Sequence, residues 1–301
     1  NSGKIFGFMD FRKYDLSEWE ELVISELKHQ KTFEDLCFTI DGITINPLNP
    51  IDPSIEFLPI YRERPTRSGL VFSKNFDTIA QCLEWGPSAL RLFLQDGNYP
   101  RIEGVHWNML DVELVGIGKD TDHFIKINGL SQDITTINPN QYVDVNFEVP
   151  FPENCTLLID TLNIDNAAIF ININLSNDFY KNIAGLRALR LFLSHFKHEK
   201  NRSLQARLSV TIPTTAPSAT PENTILEYTY KVIAAYMGGA DYVFQQVENT
   251  DFDRIAFHIQ NLLNLESKIT NTQDVVAGSP FFEKLTQNIL ETLNDRYTER
   301  V

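Results

Sequence analysis

The sequence has few residues of the kinds that mark secreted, membrane-spanning or metal-binding proteins. Its 301 residues include only three cysteines, Cys37, Cys82 and Cys155. They are widely spaced and form no C-x-x-C pair, so neither a disulfide framework nor a zinc site is indicated. No apolar run approaches the roughly 20 residues that span a bilayer, and the first residues lack the basic-then-apolar order of a secretion signal. We therefore expect a cytoplasmic protein with reduced, buried thiols.

Positive charge is also scarce. The chain has 26 Lys and Arg against 40 Asp and Glu, which gives a formal net charge of -14. A field of that sign repels nucleic-acid phosphates and anionic lipid headgroups, unless a local basic cluster overcomes it. The densest basic stretch, residues 197–202, is interrupted by Glu199. We expect neither a nucleic-acid nor a membrane partner.

Strand-like and helix-like segments alternate from about residue 69 onward. Short apolar runs predict buried strands, and apolar stripes at a period of 3.6 predict the helices between them. This alternation is typical of a parallel sheet with helices on both faces. The predicted strands cover residues 70–72, 89–94, 112–115, 124–127, 143–149, 156–159, 168–175, 204–212 and 242–247. The clearest helices cover residues 179–196 and 222–237, and a last one begins at Ser279-Pro280.

Two of these segments carry further expectations. Residues 143–149 alternate strictly between apolar and polar side chains, which predicts a half-exposed strand unlike an interior strand of a barrel. Residues 115–120 (V-G-I-G-K-D) have two glycines before a lysine, but lack the complete G-x-x-x-x-G-K-[ST] phosphate loop. A surface turn is the favoured interpretation.

The N-terminal 60 residues have a different character. Residues 15–29 predict a helix with a capping box formed by Ser17 and Glu20. An extended hairpin follows, with its turn at Asp41-Gly42, a dipeptide that tolerates positive φ. Five prolines between residues 47 and 65 exclude regular helix there. We expect residues 1–60 to form a helical and extended arm and residues 61–301 to form the main domain.

Four phrases of the chain carry recognisable motifs. They are residues 17–48, a Trp-bearing helix followed by D-G-I-x-x-x-P-L; residues 177–191, with I-A-G-L-R-A-L-R-L; residues 234–241, A-A-Y-M-G-G-A-D; and residues 253–286, with D-R-I-A-F-H-I-Q, E-S and D-V-V-A-G-S-P-F-F-E-K-L-T. In this order they resemble the barrel domain of the methylmalonyl-CoA mutase family. The resemblance implies an α/β fold of the (β/α)8 TIM-barrel type, complete or truncated, behind the N-terminal arm.

The same resemblance implies chemistry that this chain lacks. The family's cobalamin-binding domain carries D-x-H-x-x-G, whose histidine ligates cobalt, and none of the six histidines here has Asp two residues before it. The family's R-x-H-S-Q-T-S strand corresponds loosely to residues 207–213, where Val210 and Ile212 replace polar side chains. We therefore expect no cobalamin module and no catalytic, cofactor-binding or metal-binding residues in this chain.

The resemblance thus implies the small, non-catalytic subunit of a cobalamin-dependent mutase, which interconverts methylmalonyl-CoA and succinyl-CoA. Adenosylcobalamin is expected in a large catalytic partner subunit, so that the chain forms a heterodimer, or else a homodimer. Its role would be to stabilise that partner. A third hypothesis is a homodimeric scaffold without any link to a mutase.

The alternative is a stand-alone barrel enzyme that acts on a CoA thioester without a cobalamin domain of its own. Its substrate residues would be Arg64, Arg67 and His106, the arginines as anion binders and the histidine as acid or base. Residues 64–69 echo the family's R-P-x-T-x-R substrate phrase. His195 and His198 have a spacing that suits a metal, but with lysines alongside they are better explained as cations at a helix C-terminus.

The enzyme hypothesis makes a direct calorimetric prediction. If Arg64, Arg67 and His106 form a substrate site, titration of the chain with CoA esters releases or absorbs measurable heat. Absence of heat at millimolar ligand excludes that hypothesis and leaves the non-catalytic one standing.

Overall fold

The structure is a computed structural model that describes residues 15–28, 30–48, 59–62, 64–95, 99, 101–130, 134–162, 167–200, 203–213, 220–248 and 251–300. The chain divides into two compact units, residues Asn1–Ser54 and Ile55–Val301. Most of the proline-rich stretch that the sequence predicts to be extended, residues 49–58, lies outside the described residues.

The first unit begins with helix α1 (Leu16–Glu26). The Asp15 side chain accepts a hydrogen bond from the Glu18 backbone N–H at 2.8 Å, and the Glu18 side chain accepts one from the Asp15 backbone. The predicted capping box of Ser17 and Glu20 was therefore wrong, because the observed one begins two residues earlier. Both carboxylates sit in the first turn, where the helix dipole stabilises negative charge.

A hairpin follows in the same unit. Strands β1 (Phe38–Ile40) and β2 (Ile43–Ile45) pair antiparallel. The two residues between them, Asp41 and Gly42, have φ of 48° and 79°. Two left-handed residues give the turn whose twist matches that of the flanking strands. The predicted hairpin is therefore confirmed.

The described residues of the second unit form eight strands and seven α-helices. The strands are β3 (Arg67–Phe72), β4 (Ala89–Phe93), β5 (Asp111–Val115), β6 (Thr135–Ile137), β7 (Tyr142–Asn146), β8 (Ala168–Asn174), β9 (Gln205–Pro213) and β10 (Tyr242–Gln246). The helices are α2 (Ile79–Cys82), α3 (Gly118–Asn128), α4 (Thr156–Leu162), α5 (Phe179–Glu199), α6 (Pro221–Met237), α7 (Asp251–Asn261) and α8 (Pro280–Arg300).

All eight strands run parallel in one sheet, in the order β6-β5-β4-β3-β10-β9-β8-β7. The sheet curls into a nearly closed barrel with helices around it, which confirms the (β/α)8 TIM-barrel-like fold. Parallel strands need covering elements on their outer face, and the apolar stripes of the helices supply them.

The barrel is irregular where its two edge strands meet. β6 and β7 are consecutive in the chain, and a single 3₁₀ turn (Pro139–Gln141) joins them instead of a helix. Asn138 caps that turn and Gln141 reaches back to it, so the link is locally well ordered. The interruption lies just before residues 143–149, which the sequence predicts to be unlike an interior strand of a barrel.

Two predicted strands are helices. Residues 124–127 lie in α3, and residues 156–159 lie in α4. In α3 the buried side chains are Asp120, Thr121 and Phe124, which share one helical face, and Gly129 ends the helix at φ 61°. A short apolar run does not distinguish a strand from one face of a helix.

The prediction for residues 143–149 was partly wrong. Val143 and Val145 are buried under the helices, and Asp144 and Asn146 are exposed, as the alternation predicts. The exposed side, however, is the inner side of the barrel, because Asp144 is paired in register with Asn172 and bonded to it at 2.8 Å. β7 is therefore a barrel strand whose inward face is polar.

Inside the barrel, Gly69 on β3 allows an aromatic ring to fill the centre. A Cβ at this position would lie 2.6 Å from Cε1 of Phe244 on β10 and 3.0 Å from the Cβ of Ala89. The Phe244 ring is fully buried and stacks on Tyr242 with ring centroids 5.5 Å apart. The absent side chain of Gly69 is therefore a packing requirement.

We predict that Gly69→Ala destabilises the fold by about 1 to 3 kcal/mol, because the added methyl group overpacks the interior. Urea unfolding followed by circular dichroism measures the change. Gly118→Ala is the matched control, since its Cβ would meet no atom within 4 Å. A second change, Phe244→Leu, should recover part of the loss in the Gly69→Ala background. Equal midpoints for Gly69→Ala and the unchanged chain would contradict the packing argument.

Candidate functional site

The site of a parallel barrel is expected at the carboxyl ends of its strands, where side chains from several strands converge. A cleft of about 400 Å³ opens there, beside the interruption between β6 and β7. Residues from four places in the chain line it. They are Phe93, Leu94 and Gln95 at the end of β4; Val115, Gly116, Ile117 and Asp120 from the end of β5 into α3; Pro139; and Tyr142 and Asp144 on β7.

The charged side chains of the cleft are both carboxylates. Asp120 lies in the first turn of α3 and is 8% exposed. Asp144 is exposed, and its Oδ1 accepts a hydrogen bond from Asn172 Nδ2. The rings of Phe93 and Tyr142 meet edge to face, with centroids 5.4 Å apart. The cleft thus combines negative charge with an aromatic wall.

Arg91 closes the barrel interior behind this cleft. Its guanidinium is fully buried and lies 5.4 Å from the centroid of the Tyr142 ring and 4.2 Å from that of Phe244. Nε donates to Glu113 Oε2 at 2.8 Å, and Nη2 lies 2.7 Å from the same oxygen. Nη2 also donates to Ser209 Oγ at 3.0 Å. A buried cation is costly without such partners.

Glu113 is shared between two arginines. Its Oε1 accepts from Arg207 Nη1 at 3.1 Å, while Oε2 binds Arg91. Towards the amino ends of the strands, the Tyr242 hydroxyl donates to Asp111 Oδ2 at 3.0 Å, and Arg67 forms an ion pair with the same carboxylate. Side chains and their mutual bonds therefore fill the interior from the amino ends of the strands up to the cleft.

Tyr142 separates the cleft from the buried Arg91. Burial raises the pKa of its hydroxyl, an effect that the positive charge of Arg91 opposes and the carboxylates of Asp144 and Glu113 reinforce. The phenol is accordingly neutral throughout the physiological range and acts as a hydrogen-bonding group rather than as a base.

The histidines of the described chain lie outside the barrel. His106, His123, His195, His198 and His258 are all exposed. No group of three or more His, Cys, Asp or Glu residues that could hold a metal ion occurs among the described residues. In the same residues, no helix has the length and apolar character to cross a membrane. Acid-base chemistry at the cleft would have to come from its two carboxylates.

The three substrate residues predicted from the sequence lie on segments that lead into the amino ends of strands. Arg64 is exposed just before β3, and Arg67 begins β3. His106 is exposed in the connection that leads to β5. None of them lines the cleft. Their role in binding a CoA ester stays a prediction.

Sequence reasoning missed the cleft, although it examined part of its wall. The V-G-I-G-K-D stretch, interpreted as a surface turn, contributes Asp120, while Lys119 is exposed beside it. Gly116 allows the turn to approach β4, because a Cβ there would lie 2.9 Å from the Leu94 carbonyl oxygen. Tyr142 and Asp144 gave a weak signal, the polar alternation of β7, which favoured an outer surface over a barrel mouth.

The motifs that resembled a known family form a buried scaffold away from the cleft. Arg187 on α5 is fully buried and donates to Thr286 Oγ1 at 3.1 Å, Asp274 Oδ2 at 2.9 Å and Glu283 Oε1 at 3.1 Å. Asp274 also accepts from the Ile60 backbone N–H at 3.1 Å. These bonds tie α5, α8 and the segment before β3 together.

A second motif pair anchors α5 to the sheet. Arg190 donates to the Gly239 carbonyl at 2.6 Å and to Asp241 Oδ1 at 2.8 Å. Asp241 Oδ2 accepts from the Leu208 backbone N–H at 2.9 Å, where β9 runs beside β10. Gly239 has φ 83°, which only glycine adopts without strain. The motif thus fixes the turn into β10.

Two comparisons with known proteins find a similarity to methylmalonyl-CoA mutases. The family model described as methylmalonyl-CoA mutase matches residues 156–299, just under half of the chain. Over 150 residues the chain is 31% identical to the methylmalonyl-CoA mutase of Rhizobium meliloti (strain 1021), covering 43% of this chain and 20% of that protein. The chain therefore spans about a fifth of that relative's length. Residues 156–299 are thus similar to the methylmalonyl-CoA mutase family.

A solved structure is similar only remotely. Yersinia pestis DHPS with a pterine-sulfa conjugate matches with a TM-score of 0.29 and 9% identity, over 76% of this chain and 98% of that chain. A likeness this weak carries no argument about function. The relationship to mutases therefore stands on the sequence of residues 156–299.

The mutase-related segment contains the scaffold and not the cleft. It extends from α4 into α8 and includes Arg187, Arg190, Asp241, Asp274 and Glu283. The cleft residues all precede position 156. The part of the chain that the family model matches is thus the part that holds the outer helices on the barrel.

We predict that Glu113→Gln destabilises the fold by about 3 kcal/mol, since it leaves Arg91 and Arg207 without their buried counter-charge. Denaturant unfolding gives the free energy. Glu299→Gln is the control, because the Arg296–Glu299 pair lies at the surface and is worth at most about 1 kcal/mol. If Glu113→Gln and Glu299→Gln were equally stable, a structural role for the interior ion pairs would be contradicted.

Proposed function

We propose that this chain is the small, non-catalytic subunit of a cobalamin-dependent methylmalonyl-CoA mutase, or a shortened relative of it. Its barrel would stabilise a large catalytic subunit that carries adenosylcobalamin. The observation that carries the proposal is the combination of a mutase-related scaffold with a filled barrel interior.

The filled interior supports a non-catalytic role. The Arg91 and Glu113 side chains and the Phe244 ring are at most 1% exposed and occupy the barrel axis. An acyl substrate could reach the barrel axis only by displacing the Arg91–Glu113 ion pair. Each buried charge that loses its partner costs several kcal/mol. A shell of helices around such a core remains available for contact with another subunit.

The charge of the cleft supports the same conclusion. Coenzyme A carries phosphate groups, and the cleft offers them Asp120 and Asp144 but no basic side chain. Two like charges at short range disfavour binding, and the net charge of -14 adds to the repulsion. The cleft is also far smaller than a corrin ring with its nucleotide. The lining of this cleft therefore does not fit adenosylcobalamin, and in this proposal the partner would hold the cofactor.

The partner in this proposal is a large mutase subunit with a D-x-H-x-x-G cobalamin domain, and the complex would be a cytoplasmic heterodimer. The low cysteine count and the buried thiols agree with a reducing compartment. Burial raises the pKa of the Cys82 thiol to about 11, which keeps it protonated and unreactive at neutral pH.

Co-expression with a large mutase subunit that carries the D-x-H-x-x-G cobalamin domain tests the proposal. We expect the two chains to co-elute in size-exclusion chromatography with the mass of a heterodimer. The complex should convert methylmalonyl-CoA to succinyl-CoA when adenosylcobalamin is added, and this chain alone should not.

A large subunit with its cobalt-ligating histidine replaced by alanine is the matched control. It should still form the complex and lose turnover, because the cofactor belongs to the partner and the contact does not depend on it. Two outcomes would overturn the proposal: separate elution of the two chains at micromolar concentration, or turnover by this chain alone.

A further inference from the structure

The cleft at the carboxyl ends of β4 and β5 has the features of a built binding site. Its volume, about 400 Å³, lies within the range of small-molecule pockets. Its walls come from the segments after β4, β5 and β6 and from β7 itself, so its shape is set by the fold. It lies outside the mutase-related segment, and the relationship to mutases assigns it no ligand.

The side chain of Asp120 is the first indication of what the cleft takes. It is 8% exposed, lines the cleft and accepts no hydrogen bond from the described residues. A carboxylate that is nine-tenths buried normally has partners, because removing its charge from water costs several kcal/mol. The N-terminus of α3 offsets part of that cost. A cationic donor in the cleft would supply the missing hydrogen bond.

Asp144 adds a second acceptor that faces the same space. Its Oδ1 is bonded to Asn172, while its Oδ2 accepts no hydrogen bond from the described part of the chain. The Arg91 guanidinium lies over the Tyr142 ring and is bound to Glu113. The negative charge of the two carboxylates is therefore not neutralised from within.

The aromatic wall indicates the shape of the ligand. Phe93 and Tyr142 stand edge to face and both line the cleft, where they offer apolar ring surface. Leu94, Val115 and Pro139 supply apolar surface around them. A ligand with an ammonium group and an apolar body of a few carbons matches both parts, whereas a bare metal ion would leave the apolar wall unused.

We propose that this cleft binds a small organic cation, with its ammonium group at Asp120 and Asp144 and its apolar body against Phe93 and Tyr142. The inference is independent of the proposed mutase role. A chain that pairs with a catalytic subunit could carry such a site as a separate function.

Calorimetric titration and thermal unfolding of the full chain with 2-phenylethylamine test the proposal. We expect saturable binding and a rise in Tm. The uncharged 2-phenylethanol and the anionic phenylacetate have the same ring and should bind at least tenfold more weakly, because they lack the charge that the carboxylates select. Magnesium chloride should not raise Tm, and binding of Mg²⁺ in place of the amine would overturn the proposal.

Variants locate the binding in the cleft. Asp120→Asn should weaken 2-phenylethylamine at least tenfold, and Tyr142→Phe, which keeps the ring, should bind nearly as well as the unchanged chain. Asp122→Asn is the matched control, since Asp122 is exposed on the same helix and does not line the cleft. If Asp120→Asn does not fold, Asp144→Asn replaces it in the comparison. Unchanged affinity in the cleft variants, or equal binding of the alcohol, would refute the assignment.

Discussion

The shared buried carboxylate of Glu113 is the interaction on which the barrel interior depends. It forms ion pairs with Arg91 and with Arg207. The side chains of Glu113 and Arg91 are buried, and that of Arg207 is partly exposed. Each charge in such an environment requires a partner at close range. The neighbouring strands supply the remaining acceptors, Ser209 and Asn172. A core of this kind holds its strands in a defined register, because a shift of one residue would turn each of these side chains to the outer face.

The same network separates two regions with different character. Towards the outside, Arg187 and Arg190 connect α5 to α8 and to the turn before β10, within the segment that the mutase family model matches. Towards the carboxyl ends of the strands, an acidic and aromatic cleft occupies the place where a barrel enzyme would bind its substrate. The first region is a means of holding helices in place, and the second has the chemistry of a ligand site. A scaffold common to a family therefore does not by itself define what the mouth of the barrel binds.

Several parts of this arrangement could be predicted from the sequence. The Asp41-Gly42 turn, the strand from Ala168 to Asn174 and the long helix α5 follow from local preferences and from apolar periods that run for many residues. The residues of α3 and α4 were misassigned because their apolar runs are too short to show a period. The capping box of α1 was misplaced because Asp15 and Ser17 are both good caps and local sequence does not decide between them.

The sequence by itself determined the parallel α/β class and the order of the main elements, since these depend on local periodicity. It also determined the similarity of residues 156–299 to methylmalonyl-CoA mutases, since that depends on motifs continuous in the chain. Only the tertiary structure decided which polar residues lie together. Asp120 comes from the first turn of α3 and Asp144 from β7, and Arg91 meets Glu113 and Ser209 across the barrel. Closing the sheet fixes those neighbours, because its register and curvature bring together residues far apart in the chain. No single stretch of sequence carries that information.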